Sequence, residues 1–224
     1  MARRQIGVIF HGIGTPRRTL EPGEAPYWIS RDQFAAVLDQ VMTMPDPQAV
    51  RITFDDGNLS DLDLGLPLLL ERGLTAEFFV LTGRIGKPGS LGAADILTLQ
   101  TAGMGIGSHG IDHQDWSRLD PASLRRELEA SRAILEDICA RPVKSAAIPF
   151  GRYNAAVLRA LTRAGYDRVF SSDGGWMNPA APLLPRTSIR CTTTAAAADD
   201  ILHARMGLGR RLRRAAAMLA KRLI

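Results

Sequence analysis

Short apolar or β-branched runs recur along the chain: "IGVIF" (6–10), "VRITF" (50–54), "TAEFFVL" (75–81), "MGIG" (104–107), "VKSAAI" (143–148), "YDRVF" (166–170) and "TSIR" (187–190). Between them lie longer segments whose apolar residues stand three and four apart, the spacing of a helix with one buried face. "SRDQFAAVLDQVM" opens with Ser30 as N-cap and Gln33 three residues on, a capping box, and places Phe34, Val37, Leu38 and Val41 on one side. "DPASLRRELEASRAILEDICAR" starts with Asp120 as cap and Pro121 at the first helical position, and must end before Pro142. "NAAVLRALTRAG" (154–165) carries both terminal signals, while "DLGLPLLLERG" and "LGAADILTLQTAG" close on Gly73 and Gly103. Strand and helix alternating through one domain predict a parallel sheet with helices outside. We expect an α/β fold, a barrel of about seven strands.

The polar residues that break this pattern fall at the ends of the predicted strands. His11 follows "IGVIF", Asp55 and Asp56 follow "VRITF", His109 follows "MGIGS", Pro149 and Phe150 follow "VKSAAI", and Asp173 follows "RVFSS". In an α/β barrel the loops after the strands build the active face, so these distant residues are expected to converge.

A chain of 224 residues with 46% hydrophobic content can bury a full core as one domain. Cys139 and Cys191 form no CxxC pair and read as buried thiols rather than a disulfide framework or thiolate metal site. The opening "MARRQIGVIFHGIG" has an apolar stretch of about five residues cut by His11, too short for a leader, and reads as a first strand. No run reaches the roughly 18 apolar residues of a membrane span, so the chain is expected to be cytoplasmic. The net charge of +5 is uneven: residues 205–224 carry seven basic side chains and no acid, leaving 21 basic against 23 acidic residues elsewhere. The expected organisation is a catalytic barrel over 1–204 and a basic amphipathic helix over 205–224.

Adjacent Asp55 and Asp56 repel unless a cation lies beside them, and "GSHGIDH" supplies His109 and His113. Asp-Asp-Gly is also ordinary turn chemistry, and a histidine pair can be structural. Two imidazoles and one carboxylate, with the remaining positions open, form the donor set of a catalytic divalent ion, most characteristically zinc. One aspartate would bind the ion and its neighbour would act as general base towards a water that the ion acidifies. The same donors occur in iron(II) oxygenases, whose antiparallel folds this alternation does not match.

"TFDDG", "SHGIDH" and "IPFG", in this order and at strand ends, resemble the first three motifs of the polysaccharide deacetylase (NodB-homology, carbohydrate esterase 4) family over roughly residues 6 to 190. The resemblance implies a distorted (β/α) barrel, one divalent metal, usually zinc, and removal of N-acetyl groups from amino sugars. It makes Asp55 the base and Asp56, His109 and His113 the ligands, and draws Pro149 and Phe150 into substrate binding. Gly110 stands where the family usually has Ser or Thr. Ala147 stands where an arginine commonly orients the base, and Arg186 in "LPRTSIR" is the candidate replacement. The family's general acid is a histidine in a Leu-x-His motif. "ILHARM" offers His203, but "IFH" places His11 directly after a strand, as in the permuted exopolysaccharide deacetylases that this chain resembles, so His11 is taken as the acid. Trp176 in "SSDGGWMN" is expected to wall the acetyl pocket or stack on a sugar. A deformylase or other amidase acting on a lipid-linked sugar, and an inactive glycan-binding homologue, are the alternatives.

"LGRRLRRAAAMLAKRLI" places Leu208, Leu212, Ala215, Leu219 and Leu223 along one helix face with arginines opposite. Such a helix suits an anionic membrane surface, or packs on the barrel with its charges in solvent. No aromatic platform accompanies the charge, so nucleic acid is not an expected partner.

Overall fold

The computed structural model describes residues 4–223, the side chains of Arg210, Arg222 and Leu223 excepted, so the end of the predicted leucine stripe lies outside the described residues. The strands are β1 (Gln5–Phe10), β2 (Gly12–Ile13), β3 (Trp28–Ile29), β4 (Val50–Asp56), β5 (Ala76–Val80), β6 (Gly105–Ser108), β7 (Ser145–Ala147), β8 (Arg168–Ser171), β9 (Trp176–Met177), β10 (Leu183–Pro185) and β11 (Thr187–Ser188). The helices are α1 (Arg31–Met42), α2 (Leu66–Leu70), α3 (Ala93–Thr101), α4 (Pro121–Arg125), α5 (Ser131–Cys139), α6 (Ala155–Arg163), α7 (Ala195–Leu202) and α8 (Leu208–Leu223).

Eight parallel strands follow the order β10-β8-β7-β6-β5-β4-β1-β11 and form a nearly closed, distorted barrel. Closure is made by one extended segment. Its first half, β10, pairs with β8 at one edge of the sheet, and its second half, β11, pairs with β1 at the other. Arg186 alone separates the two halves. The sequence marked only "TSIR" as a strand here, because each half is too short to show a period of its own.

Side chains alternate across β4 and β5, and the two faces have different jobs. Phe54 and Phe78 stack at 4.6 Å on the outer face and join the main core under the helices. Phe79, Ala147, Phe170, Met177 and Leu184 form a small separate cluster on the inner face. Burying each phenylalanine contributes about 2–3 kcal/mol.

The helix signals are realised with two departures. Ser30 Oγ accepts from Gln33 N (3.0 Å), but the Gln33 side chain does not return to the cap. It donates instead to the carbonyls of Arg190 and Thr193, tying α1 to the loop after β11. The long helix begins with Asp120 accepting from the amides of Ala122 and Ser123, yet between α4 and α5 it passes through a π-helical turn, Arg126–Ala130. A second π turn, Asp61–Gly65, precedes α2. Cys139 is buried as expected, whereas Cys191 is exposed, because the chain leaves the barrel after β11 and Cys191 sits in that surface loop.

Candidate metal centre and active site

β4 ends in the two aspartates, whose side chains take separate tasks because the backbone turns between them. Asp56 has φ of 81°, a left-handed conformation unfavourable for a residue with a Cβ, and Gly57 follows at 70°. His113 and Phe150 also have positive φ, so three of the five described non-glycine residues in this conformation lie in one region, as functional sites often require.

Asp56 is buried, and its Oδ1 has no hydrogen-bond partner among the described residues. That atom lies 3.6 Å from Nε2 of His109 and 3.6 Å from Nε2 of His113. The three groups can all present ligand atoms within 4.8 Å of one another. Ligands about 2.1 Å from a tetrahedral ion stand about 3.4 Å apart, so the spacing fits a shared divalent cation. The other ring nitrogens are already engaged. His109 Nδ1 meets the carbonyl of Ala147 (2.9 Å) and His113 Nδ1 meets Glu21 Oε2 (2.7 Å), which turns each Nε2 inwards.

Burial pushes the His109 ring down to about 4, against the pull of Asp55 and Asp56. Burial works to raise Asp56, but His113, His11 and His109 outweigh it and hold the carboxyl at about 2. At neutral pH the site therefore offers a carboxylate and an unprotonated His109, the state that a metal ion needs. In the metal-free protein His109 also links stability to pH. The unfolded chain takes a proton near 6.5 that the folded ring refuses until about 4, so its contribution is complete above 6.5 and is lost as the pH falls to 4. The loss is on the order of 3 kcal/mol. Urea unfolding at pH 7.5 and 4.5 should show this loss, and His109→Gln should flatten the difference; an unchanged slope would refute the assignment.

Asp55 is held differently. Arg186 donates from Nη1 to Asp55 Oδ1 (2.7 Å) and from Nη2 to Oδ2 (2.9 Å), a bidentate pair, and from Nη1 also to Thr53 Oγ1 (2.8 Å). Burial favours the neutral acid, but the guanidinium, assisted by His109 and His11, holds Asp55 below the usual carboxylate range. Arg186 is itself buried, with its guanidinium carbon 5.0 Å from the Phe79 ring centre and 5.4 Å from that of Phe170. Ala147 belongs to the same inner cluster, so the arginine missing from β7 is replaced in space by one from the closing segment. Gly7 makes room for it: a Cβ there would come within 2.6 Å of Arg186 Cγ.

Gly110 is likewise compensated. It has φ of 88°, and a Cβ would stand 2.6 Å from Glu127 Oε2. Glu127, presented by the π turn, accepts from the amides of Ile111 (2.7 Å) and Asp112 (3.3 Å), and Ser108 Oγ accepts from Gly110 N. The histidine loop is thus supported from an adjacent helix rather than by a Ser or Thr at position 110.

An open cavity of about 360 Å³ gathers Asp55, Asp56, His109, His113 and His11. His11 stands just past Phe10, which pairs with Phe54, so it is at the same height as Asp55 on the neighbouring strand. Its Nδ1 is buried without a partner among the described residues, and its ring is 4.7 Å from that of Tyr27. Phe150 lines the cavity with its ring 4.4 Å from His113, while Pro149 is buried in the turn beneath it. Trp176 is not brought to the cavity. Gly174 and Gly175, both at positive φ, turn the chain back so that Trp176 pairs with Ile6 at the start of β1, the end opposite His11. His203 is also elsewhere, capping α7 beside Asp199.

Glu21 carries no signal that its position in the chain would reveal. It reaches His113 from a loop between β2 and β3 that reads only as Gly/Pro punctuation, and it is also paired with Arg84. Glu21→Gln keeps the shape and removes the charge. Divalent-ion affinity, measured by calorimetric titration, should fall about tenfold or more, and an unchanged affinity would count against this support.

Residues 43–169, more than half of the chain, match the family model for polysaccharide deacetylase. The chain belongs to the polysaccharide deacetylase family. YxkH of Bacillus subtilis (strain 168), a candidate polysaccharide deacetylase, is 27% identical over 158 residues, covering 70% of this chain. The chain spans about half of that relative's length, 53%. Among solved structures, the Streptococcus pyogenes deacetylase PplD, in complex with acetate, superposes with a TM-score of 0.77 at 19% identity, over 90% of this chain and 99% of that one. IcaB from Ammonifex degensii superposes at 0.72 and 22% identity, over 87% and 97%. At these identities the structural likeness establishes the polysaccharide deacetylase fold, and the chemistry rests on the residues described above.

Proposed function

We propose that this chain removes an N-acetyl group from an amino sugar within a glycan or glycolipid, using one divalent ion, zinc by its donor set. The carrying observation is a charged carboxylate clamped by Arg186 next to a two-histidine, one-aspartate donor set in one cavity. Asp56, His109 and His113 would hold the ion, which when bound polarises the amide carbonyl and acidifies water.

Asp55 takes the proton from the attacking water, and its two bonds to Arg186 keep it ionised and aimed. His11 gives a proton to the departing nitrogen, which an amide requires because its anion is a poor leaving group. Phe150 offers an exposed apolar face beside the donor set, suited to the non-polar side of a sugar ring.

The test is metal analysis combined with acetate release from a panel of N-acetylated glycans, on the wild type and on His113→Ala. About one ion per chain and acetate release, both lost in the variant, are expected. Formate from N-formylated sugars without acetate would reassign the chain as a deformylase. Glycan binding with no product would make it a binding module.

A further inference from the structure

Helix α8 docks on the barrel with the reverse of the usual amphipathic arrangement. Arg214, Met218 and Lys221, four and three residues apart, form its partly buried face. Arg214 Nε donates to the carbonyl of Asp173 (3.0 Å), and Lys221 Nζ donates to Asp173 Oδ1 (2.7 Å) and to the carbonyl of Gly151 (2.8 Å). Lys221 also lies 4.7 Å from the Tyr153 ring centre, and Met218 packs against the core. The leucines face away: Leu208, Leu212 and Leu219 are 73%, 63% and 59% exposed. Arg211 and Arg213 are exposed on the same helix.

A helix whose only role is to complete a domain buries its apolar stripe and leaves its cations in solvent. This one places two cations, Arg214 and Lys221, on the barrel and leaves its leucines in water. At about 100° per residue, Leu208, Leu212, Ala215 and Leu219 cover only about 60° of the helix, with Arg211 at one border. A narrow leucine stripe bordered by Arg211, on a helix that also exposes Arg213 and in a segment without a single acid, is complementary to anionic lipid: leucines enter the acyl boundary and arginines meet headgroups. A second copy of the helix would bring like charges together, and a nucleic acid would leave the leucines in water.

The docked face also fixes where the cavity lies. Lys221 holds the carbonyl of Gly151, and Phe150, Gly151 and Arg152 line the cavity, so α8 runs beside its mouth. We infer that α8 is an interfacial helix that seats the barrel on an anionic bilayer with the cavity mouth at the membrane, placing a lipid-linked glycan within reach. The membrane contact stands on α8 alone; the identity of the substrate rests on the reading given under Proposed function.

Sedimentation of the full chain with phosphatidylcholine vesicles, with and without about 30% phosphatidylglycerol, tests this inference. Binding to the anionic vesicles should be about tenfold tighter or more, should weaken with salt, and should be lost in Leu212→Glu/Leu219→Glu. These exposed positions should leave the unfolding midpoint and acetate release from a soluble oligosaccharide unchanged. Equal binding to both vesicle types, or equal binding by wild type and variant, would overturn the inference. So would a wild-type dimer in light scattering that the same variant dissociates, which would assign the face to a second copy. Because vesicle binding is read without substrate, its failure is separate from a failure to release acetate.

Discussion

Asp55→Asn should lower kcat for amide hydrolysis by about 10³-fold while divalent-ion uptake stays at the wild-type level. The substitution removes the proton acceptor and leaves Asp56, His109 and His113 in place, so catalysis and metal binding separate. Asp56→Asn should remove both together. Asp55→Asn also leaves the buried Arg186 guanidinium without its counter-charge, and a buried pair broken on one side typically costs about 3–5 kcal/mol. Activity must therefore be measured well below the variant's own unfolding midpoint, with metal content as the check on folding. A variant that keeps its metal and turns over at the wild-type rate would remove Asp55 from the mechanism.

Replacing Arg186 is the second large effect. In Arg186→Met both oxygens of a buried carboxylate lose their donors, so a loss of about 3–5 kcal/mol is again expected. The pH profile separates this role from a structural one. With the guanidinium gone, burial is free to raise Asp55, and the base stays protonated at pH values where the wild type is already ionised. The acid limb of kcat/KM should thus move to higher pH. Ala147 faces the same inner cluster, so adding Ala147→Arg to Arg186→Ala should restore part of kcat and return the limb towards its wild-type position. If Arg186→Met destabilises the protein without moving the limb, Arg186 is a packing residue only.

Much of the fold was legible because its elements carry strong periods. Each of the seven apolar runs contains a strand, and Ser30, Asp120 and Asn154 cap helices as their residue types suggest. The strand-end rule brought Asp55, Asp56, His109, His113 and His11 to one cavity. What escaped has physical reasons. Glu21 acts from a loop without a period, and its partner His113 is 92 residues away. Trp176 follows two glycines whose positive φ reverses the chain, and no spacing rule predicts that reversal. The π turn that presents Glu127 falls inside an uninterrupted helical pattern, where one additional residue per turn leaves no mark in composition. Gly110 and Ala147 look like defects in one dimension and are answered in three, by Glu127 and Arg186.

The strand that seals the barrel also sets a timetable. Asp55 and Arg186 are 131 residues apart, whereas Asp56, His109 and His113 all lie within the first 113 of 224 residues. During synthesis the donor set emerges from the ribosome well before the arginine does. On the reading proposed above, metal capture would precede competence, and hydrolysis would wait until the stave that carries Arg186 is laid in.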